Sequence, residues 1–235
     1  MNPVHMFFDL SAVVLAMVGG GLVYWWRFRG ALEKTVTRIG GGYFLALSGG
    51  SVLGSYLLGT GNLYLSGEEI VGRSILGALC GAIVTVELYK LFRGARGSTG
   101  YIYVVPFCLL VIVGRFGCYF SGMDDHTYGV ETSFPWAVDY GDGVLRHPVQ
   151  LYESLSMAGF LVAVLGLLAV KPQVIVRYGF YLCVGFYAGQ RFVWEFFKPY
   201  GAVIGGLNLF HIVCLVMVAY SVMMILRERN DSRCA

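Results

Sequence analysis

Apolar residues run along this chain in long blocks rather than alternating with polar ones. The blocks cover residues 6–26, 40–59, 69–92, 101–120, 151–170, 176–197 and 206–226. Each is close to the roughly 20 residues a helix needs to cross the hydrocarbon of a bilayer. Most connections between them are short and polar, but one, at about 121–150, is long and dense in Asp, Gly, His and aromatic residues. The pattern predicts an all-α integral membrane protein, a bundle of about seven transmembrane helices. A membrane barrel would instead show recurrent alternating strands, which are absent here, so backbone amides in lipid must be satisfied within helices. With no linker or low-complexity stretch, residues 1–235 read as one transmembrane domain.

Composition strengthens this picture. Hydrophobic residues make up 57% of the chain and charged ones 13%, against roughly 25% charged in a soluble domain. The 33 glycines allow close helix approach and the 16 tyrosines suit membrane interfaces. Cys80, Cys108, Cys183 and Cys214 fall inside apolar blocks as packing residues. No C-x-x-C pair occurs, so neither a disulfide framework nor a zinc site is expected. Met1 to His5 lacks a basic leader region, and the first block is expected to be a retained helix.

The placement of charge says more than its net value of +3. Loops one, three and five and the C-terminal tail hold Arg27, Arg29, Lys34, Arg38, Lys90, Arg93, Arg96, Lys171, Arg177, Arg227, Arg229 and Arg233, twelve of the seventeen basic residues. By the positive-inside rule they face the cytoplasm, which puts the N-terminus outside and the C-terminus inside. Arg73, Arg115, Arg146, Arg191 and Lys198 lie at the opposite ends of spans or in outer loops. Most acids share that side, including Glu68, Glu69, Asp124, Asp125, Glu131, Asp139, Asp142 and Glu195. A long polar loop beside membrane-embedded charge is where function concentrates.

Arg115 follows an apolar run and opens G-R-F-G-C-Y-F-S-G at 114–122. Either its guanidinium snorkels to the interface or it lines a polar cavity, for which Gly114 and Gly117 open space. Arg191 and Glu195 stand one helical turn apart in G-Q-R-F-V-W-E-F-F-K, close enough to form an internal salt bridge. Two arginines from separate spans aimed at one cavity would suit an anion, because the guanidinium fork matches phosphate. In R-H-P-V-Q-L-Y-E at 146–153, Pro148 can open a helix that Gln150, Tyr152 and Glu153 continue. His147 there is either a proton carrier or a hydrogen-bonding residue at the interface. Asp124, Asp125 and His126 are densely polar, but adjacent side chains diverge and wrap a metal poorly even with His147. No metal is assigned. Asp9 and His211 read as isolated polar groups that bond within the bundle. Cys118 is either a small packing residue or a thiol made reactive by Arg115.

Taken in order, G-R-F-G-C-Y-F-S-G, P-W-A-V-D-Y, R-H-P-V-Q-L-Y-E and R-F-V-W-E-F-F-K resemble the bacterial prolipoprotein diacylglyceryl transferase family. The third-block stretch G-R-S-I-L-G-A-L-C-G, which contains Arg73, fits the same pattern, so the resemblance runs from about residue 70 to 215. It implies a multi-pass inner-membrane enzyme that transfers the diacylglyceryl group of phosphatidylglycerol to a preprolipoprotein cysteine, forming a thioether and releasing glycerol phosphate. Arg115 corresponds to the family's essential arginine, and Arg191 and Glu195 to those of the late span. With His147, these form the expected catalytic set. Arg146, Gln150, Tyr152, Glu153, Cys118, Asp124, Asp125 and Arg73 form the expected substrate-binding set. The implied partners are a membrane phospholipid and a lipoprotein precursor or other periplasmic-face acceptor, with no nucleic acid and no cofactor.

The chain departs from the family pattern G-R-x-G-N-F-x-N-G-E at Cys118, Ser121 and Met123, and Val149 stands where the later block has serine. Leu76 replaces a third-span histidine. These changes leave the acceptor open. They also leave two alternatives, a non-catalytic phospholipid-binding protein and, with less support, a small-solute transporter.

Overall fold

The structure is a computed structural model that describes residues 3–29, 40–95 and 97–231 of the chain. Lys34, Arg38, Arg96 and Arg233 of the basic set lie outside the described residues. Among those described, long helices dominate: α1 (Pro3–Val23), α2 (Gly42–Leu65), α3 (Ile75–Arg93), α4 (Val104–Phe120), α5 (Val149–Val170), α6 (Phe180–Glu195) and α7 (Leu209–Asp231). A π-helical turn, Tyr24–Phe28, extends α1, and another, Ile175–Gly179, leads into α6. Five segments are long and apolar enough to cross a membrane: Pro3–Phe28, Ile75–Arg93, Tyr101–Phe120, Val149–Val170 and Leu209–Asn230. The chain is a multi-pass membrane protein. The two remaining helices are less apolar for a visible reason. Gly, Ser, Thr and Asn interrupt α2, and Gln190, Arg191 and Glu195 sit in α6.

Several boundaries differ from those expected. The third block was expected from residue 69, but α3 starts at Ile75 because Ser74 caps it, its side chain accepting the Gly77 N–H at 3.2 Å. The preceding chain is tied to α2 instead, the Ser74 N–H donating to the Ser55 carbonyl at 3.1 Å. Pro148 precedes α5, and its carbonyl accepts from the Leu151 N–H at 3.0 Å. The long connection is structured by a 3-10 turn, Gly122–Asp125, and a small antiparallel hairpin of β1 (Val138–Asp139) and β2 (Leu145–Arg146). In it Val138 faces Arg146 and Asp139 faces Leu145. The connection is pinned to the bundle by the Val130 N–H, which donates to the Phe197 carbonyl at 2.7 Å.

Helix α2 packs on α3, α1 on α4, α4 on α5 and α6 on α7. The core between them includes Leu76, Val104, Cys108, Val111, Met157, Leu168, Tyr187 and Cys214. Many apolar side chains face outward, among them Leu10, Val52, Leu155, Val162 and Val216, as a lipid-facing surface requires. The two kinds of polar contact separate to opposite ends. At one end Arg27 donates to the Ala169 carbonyl, Arg177 donates to the Glu228 carbonyl, and Lys90 pairs with Glu87. The other end gathers His5, Asp125, Arg115, Glu153 and Lys198.

Close packing of α2 on α3 depends on small residues, as is common where lipid supplies no hydrophobic drive between helices. Gly50 and Gly54 face Gly77 and Gly81. A Cβ at Gly54 would lie 2.3 Å from the Gly77 carbonyl, and one at Gly81 2.1 Å from the Gly50 carbonyl. Thr85 then bridges the pair by donating to the Ala46 carbonyl at 2.7 Å. Gly54→Leu should force these helices apart at a cost of about 1–3 kcal/mol. In detergent its thermal midpoint is expected to fall by several degrees, while Gly49→Ala, which meets nothing within 4 Å, leaves it unchanged.

Candidate active site

The second turn of α5 places Glu153 among three cations. Arg115 near the end of α4 brings Nε to 2.5 Å from Glu153 Oε2, and Arg191 on α6 brings Nη1 to 2.7 Å from Oε1. Lys198, just past α6, reaches Oε1 at 2.6 Å. The carboxylate has no solvent exposure, and Arg115, Arg191 and Lys198 are buried with it. Glu195 forms the second anion. Arg191 Nε lies 2.9 Å from its Oε2 but out of line for a directed hydrogen bond, so this contact is chiefly a charge pairing. Asn208 holds the other oxygen, its Nδ2 donating to Glu195 Oε1 at 3.2 Å, and Asn208 in turn bonds His211. Three cations around two carboxylates leave one positive charge in excess.

Arg191 therefore makes the expected intrahelical salt bridge and also meets Arg115 at a shared carboxylate. Tyr187, one turn before Arg191, is completely buried near both arginines, and its hydroxyl has no hydrogen-bond partner among the described residues. Arg191 Nε likewise lacks a directed hydrogen bond. Unpaired buried donors are costly unless something accepts from them. An anion held by the excess positive charge would do so.

The remaining residues of the R-H-P-V-Q-L-Y-E block do not join this cluster. Arg146 is held by Asp142 at 2.6 Å and lies over the Tyr128 ring, 5.0 Å from its centroid. The Arg146 hydrogen bond keeps the Asp142 carboxyl below its ordinary range. His147 packs against Phe134 and Phe197 and contacts the Tyr152 hydroxyl at 3.2 Å. Burial pulls its imidazole below the usual value, which keeps it neutral near pH 7. Tyr152 accepts from Trp136 Nε1 at 2.7 Å, and Gln150 accepts from the Tyr140 hydroxyl at 2.9 Å. Geometrically, His147, Gln150 and Tyr152 tie the long connection to α5, and Arg146 braces the connection itself.

A second cluster lies beside the first, at the start of α1. His5 Nε2 is 3.1 Å from Asp125 Oδ1 and 3.7 Å from Cys118 Sγ, and His5 Nδ1 is 3.0 Å from Asp9 Oδ2. Arg115 joins the two clusters, its Nη1 donating to Cys118 Sγ at 3.8 Å. Gly117 makes this possible. A Cβ there would lie 2.9 Å from Phe8 Cβ, so only glycine lets α1 come so near. Gly114, the other flanking glycine, meets nothing within 4 Å. Burial raises the Asp125 pKa, but the hydrogen bonds from His5 and Thr127 outweigh it and the carboxyl ends below its ordinary range. Asp124 is exposed, and Arg73 lies 4.0 Å from Asp9. His126 offers its carbonyl rather than its ring, accepting from the Tyr200 hydroxyl at 2.9 Å.

His5, Asp9, Lys198 and Asn208 belong to these clusters but not to the expected sets. Two of them carried a readable signal. Lys198 is three residues past Glu195, and His5 four before Asp9, both same-face spacings on a helix. Asp9 is thus not isolated as expected, and His211 bonds Asn208. Toward the opposite end, an apolar cavity of about 320 Å³ opens among Leu47, Leu79, Ile83, Phe107, Leu110 and Val184. It does not contain the charged cluster, but Phe107 and Val184 stand about two helical turns below Arg115 and Arg191.

The family model for prolipoprotein diacylglyceryl transferase matches residues 5–227. The chain belongs to this family. Relatives include proteins named phosphatidylglycerol–prolipoprotein diacylglyceryl transferase. That of Campylobacter lari is 34% identical over 180 residues, 72% of this chain and 63% of the relative. That of Aromatoleum aromaticum is 29% identical over 174 residues, 68% of this chain and 63% of the relative. In Campylobacter jejuni (strain RM1221) the figures are 29% over 163 residues, 66% and 58%. The chain thus spans less than two thirds of the length of these relatives. No solved structure matches it.

Removing one partner from a buried ion cluster strands the others. Glu153→Ala should therefore lower stability by about 3–5 kcal/mol, read as a large drop in the thermal midpoint of the purified protein. Asp142→Ala, at the surface, should leave the midpoint nearly unchanged.

Proposed function

We propose that the chain is a phospholipid-dependent transferase that moves the diacylglyceryl group of phosphatidylglycerol to a thiol, that of a prolipoprotein cysteine in the first instance. Membership of the family and the names of the relatives support the reaction class. One observation carries the assignment of residues: Arg115 and Arg191, from different helices, both lie within 2.9 Å of the Glu153 carboxylate. That shared anchor fixes two guanidinium groups toward one place, with excess positive charge and unpaired donors beside them. A phosphate headgroup matches the fork geometry of arginine.

In the proposed reaction, the acceptor thiol gives its proton to water, and its sulfur bonds to the glyceryl carbon as the bond from that carbon to the phosphate oxygen breaks. The electron pair goes to the oxygen, and glycerol phosphate leaves. Charge grows on that oxygen, where preorganised guanidinium groups in a dry site stabilise the transition state most. Glu153, Glu195 and Lys198 position the two arginines. Gln150, Tyr152 and His147 hold the long connection over the site, and the apolar cavity suits acyl chains. The bundle then crosses a bacterial inner membrane seven times, N-terminus outside, with the charged end at the periplasmic face.

A second reading, phospholipid binding without turnover, is favoured by Leu76. This residue replaces the family's third-span histidine and is fully buried in the apolar core. Purified protein in phosphatidylglycerol vesicles with a lipobox-cysteine peptide distinguishes the two. The transferase reading expects glycerol phosphate release, reduced about 100-fold or more by Arg115→Ala and by Arg191→Ala. Turnover that survives both substitutions contradicts the assigned residues, and its absence from the unaltered protein favours the second reading.

A further inference from the structure

We infer that His5, Cys118 and Asp125 form a binding site for a divalent ion of the zinc class. Each offers one ligand atom, and the three atoms lie within 4.8 Å of one another. The donor set of imidazole nitrogen, thiolate sulfur and carboxylate oxygen is one that zinc takes.

The spacing is the stronger argument. Tetrahedral zinc with bonds of about 2.3 Å to sulfur and about 2.0–2.2 Å to nitrogen and oxygen sets its ligands about 3.5 Å apart for sulfur and nitrogen, and about 3.4 Å for nitrogen and oxygen. In the structure Cys118 Sγ is 3.7 Å from His5 Nε2, and His5 Nε2 is 3.1 Å from Asp125 Oδ1. Both of these pairs are within about 0.3 Å of the required separations, and the third, Cys118 with Asp125, lies within 4.8 Å.

The surroundings are those of a ligand set rather than of a chance contact. His5 Nδ1 faces the Asp9 carboxylate at 3.0 Å, so with Nδ1–H donating to Asp9 an entering ion would take Nε2 in place of the proton that Nε2 shares with Asp125. This is the carboxylate–histidine–metal arrangement that orients and strengthens an imidazole ligand. Thr127 donates to Asp125, and Arg115 donates to Cys118 Sγ at 3.8 Å. The ligands come from the start of α1, the end of α4 and the following 3-10 turn, so the site forms only when α1 packs across Gly117.

Three protein ligands leave a fourth position open. Resting on the transferase reading, that position would take the acceptor thiol. Coordination releases its proton to water, and the thiolate sulfur then forms its bond to the glyceryl carbon while Arg115 and Arg191 receive the departing phosphate.

Cobalt(II) added to the metal-stripped full-length protein tests the site without reference to activity. A single thiolate ligand gives a charge-transfer band in the near ultraviolet. The unaltered protein should show this band at one equivalent, Cys118→Ser should lose it, and His5→Ala should weaken binding at least tenfold. Should Cys118→Ser fail to fold, Asp9→Asn serves instead, keeping the band but raising the dissociation constant about 10- to 100-fold. No band in the unaltered protein, or the same band in Cys118→Ser, overturns the site. Phosphatidylglycerol turnover measured on the same samples keeps the two readings apart. A band without turnover retains the metal site and removes the transferase reading, and turnover without a band does the reverse.

Discussion

A carboxylate shut away from solvent stays ionised only if cations replace the water it has lost, and Glu153 meets that condition with three of them. Arg115, Arg191 and Lys198 come from the end of α4, from α6 and from the chain beyond it, and each lies within 2.7 Å of a Glu153 oxygen. Desolvating so many charges is costly, so such a cluster is poor evidence for stability as such. Its consequence is geometric. The ends of three helices are locked to one point, and the two arginines cannot swing to solvent. The excess positive charge is then available to an incoming anion.

The rest of the charged end follows from that lock. Once α4 is fixed, Gly117 lets α1 lie against it, bringing His5 to Cys118 and Asp125. Arg115 touches both groups, so the place where a phosphate would leave and the place where a thiol would be held share a wall. The long connection closes over them through Val130 on Phe197, Gln150 on Tyr140 and Tyr152 on Trp136. Below, side chains turn apolar within two helical turns, as an amphiphilic lipid substrate would require.

The helices were legible because lipid imposes one simple rule, about 20 apolar residues in a row, and each expected block contains a long helix. Arg115, Arg191 and Glu195 stood out for a related reason, since charge inside apolar sequence needs a cause. The sequence did not reveal what lies between partners distant along the chain. Nothing in the spacing of residues 115, 153 and 198 says that they share a carboxylate. His5 looked like part of a bare N-terminus, and only the packing of α1 on α4 brings it to a thiol 113 residues away. Arg146 shows the same limit. Its motif suggested a substrate contact and gave no sign of the pairing with Asp142, four residues earlier.

The central claim is that the guanidinium pair anchored on Glu153 holds a phospholipid phosphate. Native mass spectrometry of the purified protein, exchanged between phosphatidylglycerol and uncharged diacylglycerol, addresses it most directly. The account predicts selective retention of one phosphatidylglycerol by the unaltered protein and loss of that selectivity in a folded Arg191→Gln variant. Equal retention of the two lipids, or selectivity unchanged by the substitution, would contradict it.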